Sequence, residues 1–223
     1  MGDECVDVAM CPVYLSSELS TLGFSLLLET LPLILETMET LPLASTLVVL
    51  LSPTSSGKSL IIYLAVRQLL TYKCKKGLII VPTTSLVEQL YSDFSDYSTK
   101  NGWDVQENVH RIYQGRDKHT DLPLTISTWQ SLYTKPEEYF HQFDFIIGDE
   151  AHLFKAKSLT SIFDKCVNTK YRIGTTGTLD GMKTHKLILE GLFGKVKKVI
   201  STKELNTVAT TATRIKCEFL EPP

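Results

Sequence analysis

The chain has 223 residues, 43% of them hydrophobic and 22% charged, with a formal net charge of -2. These are the proportions of an ordinary globular protein, and they exclude collagen, a long coiled coil and a fully disordered chain. No uncharged apolar run reaches the roughly 18 residues of a membrane-spanning helix, and the acidic start Met1, Gly2, Asp3, Glu4 argues against a secretory signal.

The charge is unevenly spread. Residues 1–57 hold seven acids, Asp3, Glu4, Asp7, Glu18, Glu29, Glu36 and Glu39, and no Lys or Arg, a formal -7. All 23 basic residues and the remaining 18 acids follow, a formal +5. Up to about residue 45 the composition is also narrow, with ETLPL at 29–33 and again at 39–43, and Pro32 and Pro42 would interrupt a helix there. Residues 1–45 are therefore expected to be a low-complexity acidic extension. Translation from a wrong start or a shifted frame is a second explanation, and an acidic tail for a basic partner a third. Cys5, Cys11, Cys74, Cys166 and Cys217 are scattered, odd in number and without a CxxC pair. That pattern suggests reduced thiols in a cytosol-like compartment, not a disulfide framework or a zinc site.

From residue 46 short apolar runs alternate with longer amphipathic ones. TLVVLL (46–51) reads as a buried strand, and 58–70, free of Gly and Pro, as a helix. GLIIVP (77–82) is a second strand. The helix after it places Leu86, Leu90, Phe94 and Tyr97 on one face. PLTIST (123–128) and FDFIIGDE (143–150) read as strands, and Leu159, Ile162, Phe163 and Cys166 mark a further helix. YRIGTT (171–176) is a strand, and 183–194 a helix ending at Gly194. Near-continuous apolar strands separated by helices predict an α/β fold with a mostly parallel sheet covered on both faces. Such sheets bind ligands at the carboxyl ends of their strands.

Two segments carry chemistry. Ser52, Pro53, Thr54, Ser55, Ser56, Gly57, Lys58 and Ser59 lie between the first strand and the first helix. Backbone N–H groups of such a loop, with the helix N-terminus, cradle phosphates. Gly57 allows close approach, Lys58 reaches the β/γ-phosphates, and the Ser59 hydroxyl ligates Mg²⁺. The first Gly usual in such loops is replaced by Ser52. Asp149, Glu150, Ala151 and His152 close an apolar strand, where a carboxylate can hold Mg²⁺ and its neighbour can polarise water. The competing explanations are a chance GKS at a helix start and an ordinary pair of surface acids. Each weakens when both segments occur in one chain. Trp129 is expected to pack in the core. His110, His119, His141 and His185 show no metal-binding spacing.

With these two segments in place the chain resembles the superfamily 2 helicases, the DEAD/DEAH-box group, and within it the phage recombination helicases. Pro53 to Ser59 is similar to the group's first motif, with Ser at the third place as in the phage branch. Val81, Pro82, Thr83, Thr84, Ser85 and Leu86 resemble motif Ia. Ile126, Ser127, Thr128, Trp129, Gln130, Ser131 and Leu132 resemble the later nucleic-acid motif of the same domain. Asp149 to His152 is similar to motif II. Gly174 to Leu179 sits where motif III belongs, with Thr-Gly-Thr in place of Ser-Ala-Thr.

The resemblance implies a three-layer RecA-like P-loop domain over 46–223, using ATP and Mg²⁺. It implies that Thr54, Ser55, Ser56, Gly57, Lys58 and Ser59 bind the nucleotide, that Ser59 and Asp149 hold Mg²⁺, and that Lys58, Asp149 and Glu150 carry catalysis, with Glu150 as base. It implies that His152, Thr176 and Thr178 couple the nucleotide state to movement. Pro82, Thr83, Thr128 and Gln130 would touch a nucleic-acid backbone. For Thr83 and Thr84 helix capping is the alternative. The implied partner is DNA, single-stranded or branched, with RNA also open, in the cytoplasm of a host cell and away from membranes. No Gln precedes Gln68, so an adenine preference rests on the resemblance alone. The sequence reaches Pro223 about where the family's inter-domain linker begins, so a second RecA-like domain, source of the arginine fingers, is expected in cis or in trans. The alternative is a nucleotide- and nucleic-acid-binding module with negligible ATPase activity. Asn168, Thr169, Lys170 and Tyr171 do not match the Asn-Lys-x-Asp of a GTPase, and the Leu-Ser-Gly-Gly of transporter ATPases does not occur.

Overall fold

The computed structural model describes residues 46–51, 57–72, 74–99, 102–113, 121–154, 157–177 and 183–198. Thr54, Ser55, Ser56 and Thr178 lie outside these residues, as does the stretch 1–45. In chain order the elements are β1 (Thr46–Leu51), α1 (Lys58–Tyr72), β2 (Gly77–Val81), α2 (Thr84–Ser98), the one-turn α3 (Val105–Asn108), β3 (Val109–Ile112), β4 (Leu124–Thr128), the one-turn α4 (Trp129–Leu132), a 3-10 segment (Glu137–Gln142), β5 (Phe145–Asp149), a 3-10 turn (Ala151–Leu153), α5 (Lys157–Lys165), β6 (Tyr171–Thr176), α6 (Lys183–Phe193) and β7 (Lys195–Lys198).

The strands form one sheet in the order β3-β4-β2-β5-β6-β1-β7, and every neighbouring pair is parallel. This is the α/β architecture that the apolar runs predict. Period-2 alternation divides each inner strand between two cores. Val48, Leu50, Ile79, Val81 and Ile147 face the side covered by α1 and α2, together with Ile61, Leu69, Val87, Leu90 and Phe94. Val49, Leu78, Ile80 and Ile146 face the other side, with Ile162 and Phe163 of α5 and Leu189 and Phe193 of α6. A strand buried on both faces has no room for a polar face, which is why the inner strands read as unbroken apolar runs.

The second core depends on two glycines. Gly148 and Gly174 are register partners on β5 and β6. A Cβ on Gly148 would lie 2.9 Å from the rings of Phe154 and Phe193, and one on Gly174 would lie 3.1 Å from Ala151 and Phe193. The bare backbone leaves a dent in which Phe154, Phe163 and Phe193 meet edge to face, with centroids 4.7 to 5.5 Å apart. Each of these rings is buried, a contribution of roughly 1.5–3 kcal/mol relative to exposure.

The edge strands β3 and β7 are additions to the sequence expectation. Within β3 only Val109 and Ile112 are buried, and β7 is Lys-Val-Lys-Lys. An edge strand needs little apolar surface, and its charges discourage further pairing, so neither produces an apolar run. The one-turn helices and 3-10 segments are too short to show periodicity.

Candidate nucleotide site

Because all paired strands run in one direction, their carboxyl ends share one edge of the sheet. The exits from β1, β2, β4, β5 and β6 converge there, and each carries residues singled out from the sequence.

Gly57 opens α1. Its φ of +75° lies in the left-handed region, which glycine enters without strain. Its carbonyl accepts from the N–H groups of Leu60 and Ile61, both at 3.0 Å. The first turn of α1 holds no acid, so its dipole and Lys58 together present positive potential at the helix start.

Lys58 reaches across to the end of β5. Its Nζ donates to Glu150 Oε1 and lies 3.3 Å from Asp149 Oδ1. The Asp149 side chain is 6% exposed. A buried carboxylate needs several partners, and Asp149 Oδ1 also accepts from Thr175 Oγ1 at 2.8 Å and from the Glu150 N–H at 2.9 Å. Glu150 has φ 52° and ψ 51° and is the non-glycine residue in the left-handed region among those described. Such a conformation costs about 1–3 kcal/mol and concentrates at functional sites. It turns the chain sharply, so that Glu150 Oε2 lies 3.3 Å from His152 Nδ1. That same nitrogen is 2.9 Å from Thr176 Oγ1 on β6. Lys58, Asp149, Glu150, His152 and Thr176 thus form one connected polar chain across three strand exits.

Ser59 Oγ is 2.9 Å from the hydroxyl of Tyr97 on α2. Burial pushes the Tyr97 phenol above its ordinary range against the opposing bond from Ser59, with Asp93 and Asp96 adding to the rise. Neither Tyr97 nor Thr175 is a site candidate in the sequence. The sequence signals for Thr175 are its place in the motif III stretch and its polar character inside a mostly buried strand.

At the β2 exit Pro82 is half-buried and Thr83 is exposed. Thr83 Oγ1 accepts from the Leu86 N–H at 3.3 Å, so it caps α2. At the β4 exit Thr128 is 5% exposed, with its hydroxyl 3.1 Å from Ser131 Oγ, while Gln130 is exposed. Trp129 is partly buried against the second core. It borders an apolar groove of about 260 Å³ together with Pro82, Leu153 and Phe154. Among the described residues no cluster of three or more His, Cys, Asp or Glu could hold a metal ion. Cys74 and Cys166 are buried, and burial pushes the Cys166 thiol up to about 12.

The family model described as "Type III restriction enzyme, res subunit" matches residues 33–181. The chain belongs to this family. Within it, the chain is 35% identical over 176 residues to the ATP-dependent DNA helicase uvsW of Enterobacteria phage T4, a match over 77% of this chain and 34% of that protein. It therefore spans about a third of the length of that curated relative. The crystal structure of the UvsW helicase from bacteriophage T4 superposes with a TM-score of 0.62 at 35% identity, over 73% of this chain and 57% of that one. The Hef helicase domain of Pyrococcus furiosus gives a TM-score of 0.63 at 17% identity, over 76% and 37%. That second match speaks for the fold alone. These likenesses place the res-subunit-family chain with the N-terminal RecA-like domain of superfamily 2 helicases. None of its described helices is long and apolar enough to cross a membrane.

Proposed function

We propose that this chain is the ATP-binding half of a superfamily 2 DNA helicase or translocase that couples ATP hydrolysis to nucleic-acid remodelling in phage recombination or repair. The observation that carries the proposal is the meeting of Lys58 with Glu150 and Asp149, residues some 92 positions apart in sequence, at the carboxyl edge of a parallel sheet. A lysine at a helix start facing two acids at a strand end suits a phosphate group with its counter-ion.

In this reading the loop Thr54, Ser55, Ser56 and Gly57 cradles the phosphates with its backbone, and Lys58 exchanges its carboxylate partners for phosphate oxygens. The Ser59 hydroxyl and the Asp149 carboxylate are oxygen donors of the kind that suits Mg²⁺; bound there, the ion would neutralise phosphate charge. Glu150, released from Lys58, orients water as general base. The contacts from His152 to Glu150 and to Thr176 give the nucleotide state a path into β6, and we assign Thr178 to the same coupling role. Pro82, Thr83, Thr128 and Gln130 sit at neighbouring strand exits and would meet a sugar-phosphate backbone without reading bases. A second RecA-like module, in cis or in trans, supplies the arginine that stabilises charge on the γ-phosphate. The partner is single-stranded or branched DNA, in the cytoplasm of the host.

Titration with a fluorescent ATP analogue and Mg²⁺ tests the site. Lys58→Ala should weaken binding about 100-fold, the worth of one or two charge-assisted hydrogen bonds, with the fold retained. Equal affinity would sink the assignment. We also assign residues 46–223 to the RecA-like module and 1–45 to an acidic extension. Deleting 1–32, ahead of the family match, and deleting 1–45 should each leave the thermal midpoint within roughly 2 °C. Loss of stability in the longer deletion alone would move the boundary upstream.

A further inference from the structure

Ser59 stands at the second position of α1, where the proposed reading places a Mg²⁺ ligand. A hydroxyl that gives a lone pair to a cation must send its proton to another acceptor. A serine also has three open χ1 wells, whereas the methyl group of a threonine would restrict them. Ser59 therefore needs both an acceptor and an external restraint on its rotamer.

Tyr97 offers both. Its hydroxyl is 2.9 Å from Ser59 Oγ although the residues are 38 apart in sequence. Its ring is held edge-on by Tyr63, with centroids 5.5 Å apart and planes at 60°. Tyr63 lies one turn beyond Ser59 on the same face of α1, and it also meets Phe94 at 5.2 Å and Trp103 at 5.7 Å. Arg67, a turn further on, covers Trp103 at 4.9 Å. The tyrosine hydroxyl is thus presented from a half-buried ring that packs in an aromatic cluster built on α1, α2 and Trp103. A phenol hydroxyl carries both a proton and acceptor lone pairs, so it can accept from Ser59 while keeping its own proton.

We propose that Tyr97 is a positioning residue for the nucleotide site: it accepts the hydrogen bond of the Ser59 hydroxyl and fixes the Ser59 rotamer, so that the oxygen lone pair stays available to a divalent cation bound with the nucleotide. The inference rests on the nucleotide reading of the site and adds a residue on α2 to it.

The test uses the full 223-residue chain and a fluorescent ATP analogue, titrated with Mg²⁺ and again in EDTA. Tyr97→Phe keeps the ring and removes only the hydroxyl. It should weaken binding about fivefold in Mg²⁺, the worth of one neutral hydrogen bond, and leave the EDTA affinity and thermal midpoint unchanged. In a Ser59→Ala background the same change should cost nothing further. Ser59→Thr should recover binding in Tyr97→Phe, because the threonine restricts its own rotamer. Equal weakening in both arms would reveal a packing role and overturn the proposal, as would unchanged affinity in Mg²⁺ while Lys58→Ala still weakens binding. A parent chain whose binding ignores Lys58→Ala would overturn the nucleotide reading, and the role of Tyr97 with it.

Discussion

The two ends of the strands solve the same problem differently. At the amino ends, polar side chains are tied to backbone. Asp144, just before β5, accepts from the N–H groups of Lys75 and Lys76 ahead of β2, at 2.7 and 3.1 Å. Its carbonyl accepts from the Lys170 N–H ahead of β6 at 2.8 Å. Lys165 donates to the carbonyls of Lys135 and Tyr133, Thr169 to that of Phe143, and Arg172 to that of Cys166. At the carboxyl ends, side chains are tied mainly to one another, through Lys58, Glu150, Asp149, His152, Thr175 and Thr176. A bond to backbone holds three strands together and has nothing to exchange with. A bond between a lysine and a carboxylate can be exchanged for a phosphate and a cation without moving the sheet. One end is built to hold, the other to be rearranged by a ligand.

The sharpest way to break this contrast is to change one residue at each end. Glu150→Gln keeps the volume and part of the hydrogen bonding but removes the base. Steady-state phosphate release should fall about 10²–10⁴-fold, whatever rate the parent supports, while analogue affinity and thermal midpoint stay close to the parent values. Comparable release from both chains would show that the base lies elsewhere. Asp144→Ala should do the reverse. It strips two backbone N–H groups of their acceptor, for about 1–2 kcal/mol of stability, a drop of roughly 2–8 °C in thermal midpoint for a domain of this size. Nucleotide affinity measured well below that midpoint should not change. A mutant that lost affinity but not stability would put Asp144 in the functional network and erase the distinction.

The sequence displays these two ends unequally. β1, β2, β5 and β6 are legible because burial on both faces leaves them no polar alternation, and Lys58, Asp149 and Glu150 are legible because their chemistry is local, at a strand-to-helix turn and a strand end. Thr175 is a different case. It bonds Asp149 because β5 and β6 pair with Asp149 opposite Thr175, and register is not written in either strand alone. Tyr97 occupies an apolar helical stripe by spacing, and only the packing of α2 on α1 brings its hydroxyl to Ser59. Asp144 is similar. Its value lies in facing the starts of β2 and β6, a consequence of strand order. The edge strands β3 and β7 escape notice for the opposite reason, since they bury too little to leave a pattern.

Alkaline pH offers a milder probe of the holding end. Tyr139 sits in the 3-10 segment ahead of β5, edge-on to Phe140 and Phe143 at 5.3 and 5.8 Å. Burial pushes its phenol from the ordinary 10.0 up to about 12. The folded chain therefore retains a proton that the unfolded chain gives up near pH 10. Whatever stability this difference contributes is fully present below pH 10 and is lost as pH rises from about 10 through about 12. Cys166, before β6, is displaced in the same direction from 9.0 to about 12, so its share starts to go about a unit earlier. Both groups lie at the amino ends, so alkali should loosen the end that holds. Tyr139→Phe keeps the ring contacts and removes the ionisation. Denaturant melts of parent and mutant should nearly coincide at pH 8 and separate above pH 10, with the mutant the more stable. The remaining alkaline loss should begin nearer pH 9 with Cys166 and continue above pH 10 with Tyr97 and Tyr171, whose phenols burial also raises. Curves that stay parallel through pH 11 would mean that the phenol reaches water before the fold opens, and that this end is looser than its backbone bonds imply.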